Sequence, residues 1–263
     1  RVYDPGYTYA PPGMLTWREE NTQALIADPK EPVWIRAQLS LADVTTEKRT
    51  GTFTLSEDGT LEGDVQIEYT GHLGIDWKEF HDDDSPEQRE ASILEDVRKR
   101  LSTAEVSKIK VENVTDHEKP FSVTYHVRIP GFAQRTGKRL FFQPSFFQVN
   151  VGPRFTATTR QHLIYFHYPW TEDDKVTVTL PPGYELDSAD QPESFSVGAV
   201  GGYDVKILAS KDGSIIQYQR KFAFAADGSL YFPASGYVQI KKVFDAIHER
   251  DNHMLTLRLK ATQ

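Results

Sequence analysis

The chain has no cysteine among its 263 residues. This excludes disulfides, thiolate metal ligands and a cysteine nucleophile within it, and leaves the compartment open. Long apolar runs are also missing. No window approaches the roughly 18 apolar residues that a membrane-spanning helix needs. Basic residues are not in excess: 30 Lys and Arg against 38 Asp and Glu give a formal charge of −8. Such a surface repels phosphate backbones, so nucleic acid is not an expected partner. Methionine is scarce, at two residues. No signal peptide is legible. The chain opens at Arg1, as a mature or truncated product would.

What is present favours strands. Hydrophobic residues make up 38% and aromatics 12%, weighted toward 15 Phe and 12 Tyr. Rings and β-branched side chains pack well on a pleated surface. The length suits one large domain or two of ordinary size.

Residues 1–34 are rich in Pro, Gly and Tyr without a sustained period, and read as an extended tail lying against something else. Strand candidates follow at 34–43 and 51–56. Asp58-Gly59 then separates 51–56 from the alternating run Leu61–Tyr69, which is a strong hairpin signal. Ser85 as N-cap, Pro86 at the first helical position and Gln88 at capping-box spacing predict a helix over about 86–101. Further strands are expected at 109–114, 121–129 and 139–143. The rhythm lapses around Gly152-Pro153, which places a domain boundary near residue 155. Beyond it come strand candidates at 162–168, 175–180, 194–197, 203–209, 214–224 and 254–260. A second Asp-Gly turn lies at 212–213, and a helix is expected over about 234–249. The expectation is a mainly β fold, with two antiparallel β-sandwich-like domains (35–155 and 156–263) that carry one helix each.

Several motifs together resemble a family. Val2-Tyr-Asp-Pro-Gly6 followed by Gly13-Met-Leu-Thr-Trp17 is similar to the end of a bacterial transglutaminase-like core. The run Phe166–Tyr184, the segment Tyr218-Gln-Arg-Lys221 and the helix carrying Tyr237–Phe244 resemble the β-rich, uncharacterised domains that flank such cores. The resemblance implies a parent protein whose Cys-His-Asp triad performs acyl transfer or amide hydrolysis. Asp4 matches the aspartate of that triad; the cysteine and histidine would lie ahead of Arg1. By this resemblance the chain is an accessory region of a secreted or periplasmic bacterial protein. It would not be an enzyme by itself, and its partner would be the upstream core, with a protein or polysaccharide substrate. The bare reading of Asp4 is an Asp-Pro turn residue.

Other constellations carry less. His81-Asp-Asp-Asp84 with Glu87 could offer oxygens to a hard cation, but it lacks calcium-loop spacing. It also precedes a helix N-terminus, where negative charge is favourable. Glu172-Asp-Asp174 reads as a turn between strands. His162 and His167, five apart, fall on opposite strand faces and do not make a metal site. Among 38 acidic residues, nothing selects a catalytic pair. Trp77, Tyr168 and Trp170 could form a sugar-stacking platform, so a carbohydrate-binding module is the alternative function; core packing is the plainer reading. Gly198–Tyr203 lacks the ending of a phosphate loop and reads as a turn or bulge. No cofactor and no metal is expected.

Overall fold

The computed structural model describes residues 4–187 and 191–260; Val2 and Tyr3 of the first motif lie outside them. In chain order the strands are β1 (Gln23–Ile26), β2 (Val33–Arg36), β3 (Thr46–Leu55), β4 (Leu61–Tyr69), β5 (Glu105–Glu112), β6 (Phe121–Ile129), β7 (Gln134–Thr136) and β8 (Arg139–Phe142). They continue as β9 (Ile164–Tyr165), β10 (Trp170–Thr179), β11 (Tyr184–Leu186), β12 (Phe195–Ser196), β13 (Gly201–Ala209), β14 (Ile215–Phe224), β15 (Tyr231–Phe232) and β16 (Leu255–Leu259). The helices are α1 (Gly71–His81), α2 (Pro86–Arg100) and α3 (Tyr237–Asp251). The fold is mainly β, as expected.

Both Asp-Gly turns close hairpins. β3 and β4 pair antiparallel from Leu55 opposite Leu61. Gly59 takes φ +85° there, and a Cβ at that position would sit 2.2 Å from the Ala133 carbonyl oxygen, so the turn needs glycine. β13 and β14 pair likewise across Asp212-Gly213. The predicted capping box is present at Ser85 and Gln88. α2 turns Ile93 and Val97 inward and exposes most of its charged residues.

Tertiary organisation departs from two separate sandwiches. Eight strands form one sheet in the order β12-β13-β14-β10-β3-β4-β6-β5, which runs through both halves of the chain. The joint is a parallel ladder between β3 and β10; every other pairing in this sheet is antiparallel. A second sheet, β11-β16-β8-β7, again draws on both sides of residue 155. One hydrophobic cluster unites Phe53, Val65 and Val127 with Val176, Phe224 and Phe244. The irregular segment at 149–163 is therefore an internal connection. It is anchored to α3 where Lys241 Nζ donates to Phe155 O and the Tyr237 hydroxyl to Ala157 O.

Local differences have local causes. α1 escapes the sequence reading because Gly71 and Gly74 lower its apparent propensity. Gly74 is required where the helix meets the Tyr69 carbonyl, 2.7 Å from a Cβ built there. The expected strand at 34–43 stops at Arg36, and that at 162–168 shrinks to β9. β1 and β2 form their own two-stranded ribbon within the supposed tail. An earlier part of that tail packs on α1, where Tyr9 and Met14 meet Ile75.

Candidate functional site

The most charged place in the interior lies where β3, β10 and β14 run side by side. Strand register sets Arg49, Asp174 and Arg220 in one cross-strand row, with all three side chains directed into the core. Arg49 grips Asp174 with two bonds, Nε to Oδ1 at 2.6 Å and Nη2 to Oδ2 at 2.9 Å. It also reaches Glu172 at 3.3 Å and Glu47 at 3.2 Å. Arg220 binds Asp251, at the end of α3, in the same two-pronged manner, at 2.7 and 3.0 Å. Its Nη1 donates to Glu172 at 2.7 Å. Such paired, planar contacts are what the guanidinium fork favours.

The cluster is closed by neutral donors. Trp170 Nε1 donates to Glu172 Oε1 at 3.1 Å, and the Tyr203 hydroxyl to Asp251 Oδ1 at 2.8 Å. Burial alone would lift the Glu172 carboxyl, but Arg220 and then Arg49 outweigh it and hold the group at about 2. Burial wins at Glu47 and Asp251, whose pKa values are both raised despite their arginines. Arg220 is held well above its ordinary value, because its carboxylates outweigh the cost of burying it. The arrangement saturates its own charges, and its chemistry is that of an internal clamp across three strands and a helix.

Glu172-Asp-Asp174, expected as a turn, thus lies within β10 and supplies two members of this clamp. No sequence signal revealed it, because Arg49 and Asp174 stand 125 residues apart and meet only through the parallel ladder.

A second buried polar group joins the N-terminal segment to α1. Glu20 accepts from Ser40 N at 3.0 Å and from the Ser40 hydroxyl. Its Oε2 lies 3.2 Å from His72 Nε2, at ion-pair distance, although the angle does not make a hydrogen bond. The carboxylate stands between hydroxyl and imidazole. A nucleophile relay needs the imidazole in the middle, so this trio holds segments together and does not activate the serine.

The residues singled out in the sequence find these places. Asp4 Oδ1 accepts from Gly6 N at 2.8 Å and its carbonyl from Tyr7 N at 3.3 Å, which is the turn arrangement. No histidine ring is bonded to Asp4 among the described residues. His81 is fully buried, stacked with Trp77 and Phe121, and contacts Asp84 at 2.7 Å. Asp82 accepts from the Tyr9 hydroxyl. No group of three or more His, Asp or Glu with metal-site geometry occurs among the described residues. His162 lies outside any strand, and His167 stacks on Trp17 at 3.9 Å. Trp170 is buried at 8% exposure and Trp77 is packed on Phe121 and Tyr69, so these rings do not present an open sugar platform. Gly201, in the Gly198–Tyr203 segment, begins β13. No described helix is long and apolar enough to cross a membrane.

Beside the clamp opens a cavity of about 340 Å³, lined by Glu47, Glu172, Arg154, Tyr165, His167 and Tyr168 among others. On the far side of Glu47 a smaller one, about 130 Å³, lies between α2 and the sheet, with Tyr69, Arg100 and Tyr125 in its walls. Burial pushes the Tyr125 hydroxyl up to about 12.

Comparison with known proteins gives a family match over part of the chain. No curated protein matches. One solved structure, a "putative protease" from Parabacteroides distasonis, aligns at 20% identity over 40% of this chain with a TM-score of 0.34. The alignment spans only 20% of that protein's length. Residues 138–257, from β8 to the closing strand, match the family model described as a domain of unknown function with a solved structure, DUF3858.

Proposed function

We propose that the chain is a non-catalytic accessory and interaction region of an exported bacterial transglutaminase-like or protease-like protein, and that its partner is a transglutaminase-like core encoded ahead of it. The observation that carries the interaction reading is the β1–β2 ribbon. Leu25 pairs with Trp34 and Ile26 with Val33, and these four side chains remain 47%, 67%, 50% and 44% exposed. An isolated two-stranded ribbon is marginal in water, and this one carries an exposed apolar pair on each of its faces, surface that a partner would cover. The ribbon follows shortly after the motifs at 2–6 and 13–17 that resemble the end of such a core, which supports that core as the occupant.

The charged residues support the non-catalytic half of the reading, since the clamp spends its carboxylates on its own arginines. Two experiments test the proposal. The reading frame ahead of Arg1 should encode a Cys and a His at triad spacing; a frame that lacks them overturns the parentage. Incubated alone with an amine donor and a glutamine-bearing protein, or with peptide substrates, the chain should give no turnover. Turnover overturns the non-catalytic assignment.

A further inference from the structure

Three arginines approach the aromatic core around β10, and they are treated differently. Arg49 and Arg220 each face several carboxylates. Arg154 has no ion pair or hydrogen bond among the described residues. Its guanidinium carbon instead lies 4.9 Å from the Trp170 ring centroid and 5.3 Å from those of Phe166 and Phe244, with its outer side open to solvent. The position is fixed by its neighbour. Phe155 packs edge-on against Phe166, Tyr237 and Phe244, and its carbonyl is tied to Lys241. Burial lowers the pKa of Arg154, and the nearby charge of Glu172 offsets only part of that.

We propose that the cavity beside Arg154 binds a carboxylate carried on a peptide, with the guanidinium as its anion-recognising group. Every other charge on the wall is already matched. Glu172 is engaged at both oxygens by Trp170, Arg220 and Arg49, and Glu47 by Arg49. The Tyr168 hydroxyl donates to Asp76. That leaves Arg154 as the charged group in this cavity with unspent hydrogen-bonding capacity, five donors in a fork that fits a carboxylate. The volume, about 340 Å³, is in the range of small-ligand sites. Rings of Tyr165, His167 and Tyr168 form its walls, and such walls favour an apolar or aromatic residue next to the bound carboxylate. This inference stands independently of any upstream core.

The test compares N-acetyl-L-phenylalanine with its amide, which differ only in the carboxylate, by calorimetry and by Trp fluorescence, since Trp170 lies under the guanidinium. N-acetyl-aspartyl-phenylalaninamide adds a side-chain carboxylate and so separates a chain terminus from an acidic side chain as the source. The acid should bind at least roughly tenfold tighter than the amide, in line with a charged hydrogen-bonded contact. In Arg154→Gln, with an unchanged circular dichroism spectrum, that preference should vanish. Arg154→Lys, which keeps the charge and loses the fork, should retain only part of it. Equal binding of acid and amide, absence of binding by both carboxylate probes, or a preference that survives Arg154→Gln each overturns the proposal. The acid–amide comparison on the unaltered chain decides the matter even if the variants do not fold.

Discussion

Replacing Arg220 with methionine keeps an unbranched apolar stem and removes a cation that is 3% exposed. The variant loses both contacts to Asp251 and those to Glu172 and Asp174. Arg49 then stands alone among Glu47, Glu172, Asp174 and Asp251. Removing one partner of a buried pair costs about 3–5 kcal/mol, because the other charge is left in a poorly solvated site. Asp251 at 4% and Asp174 at 1% exposure are such sites. The raised pKa of Asp251 lets it take up a proton, which limits the damage and places the expected loss at about 3–4 kcal/mol at pH 7. This is a large share of a typical domain's stability. The assay is urea unfolding followed by Trp fluorescence. The penalty should shrink between pH 7 and pH 5, since a carboxyl with a raised folded pKa favours the folded state at low pH and loses that contribution as pH rises. Arg220→Lys, with charge but no fork, should lose about 1–3 kcal/mol. A loss below about 1 kcal/mol in Arg220→Met at pH 7 would refute the view that this arginine neutralises the cluster.

Acid titration offers a second check. The Glu172 carboxyl, at about 2 against an ordinary 4.5, stabilises the fold above its unfolded pKa. That contribution is lost as pH falls from 4.5 toward 2, so Glu172→Gln should flatten the stability profile in that window. Ser85→Ala removes the capping-box acceptor for Gln88 N and should cost about 1 kcal/mol in chemical denaturation. Gly59→Ala meets both the positive φ and the Ala133 carbonyl. The φ alone should cost about 1–2 kcal/mol, and the close contact should add to that, read as a lower thermal midpoint.

Local signals carried well from sequence to structure where a few adjacent residues suffice. Asp58-Gly59 and Asp212-Gly213 dictate their hairpins because the turn geometry is set by residues next to each other. Ser85-Pro86 with Gln88 dictates the start of α2 because the capping bonds are made within one turn. The alternation of Leu61–Tyr69 names the buried face of that strand in advance. A turn reading of Asp4 was likewise available from the Asp-Pro-Gly sequence, and its bond to Gly6 N is that turn.

Pairing between distant strands was not legible. Nothing local to Thr46–Leu55 or Trp170–Thr179 states that they lie parallel and adjacent, yet that ladder fuses the two halves and brings Arg49 to Asp174. The same acidic triplet can sit in a solvated turn or inside a sheet, and only the cations delivered by neighbouring strands distinguish the two. Arg154 beside its cavity is a comparable case. The Gly152-Pro153 segment marks a break in periodicity, which sequence can see. Its docking on α3 through Phe155, which aims the arginine over three rings, depends on contacts made only after the chain has closed. The sequence by itself determined the strand-rich class, the two tight hairpins and the capped helix, all set by interactions between near neighbours. The tertiary structure decided the single sheet, the buried clamp and the open arginine, because each rests on groups that long-range packing alone brings together.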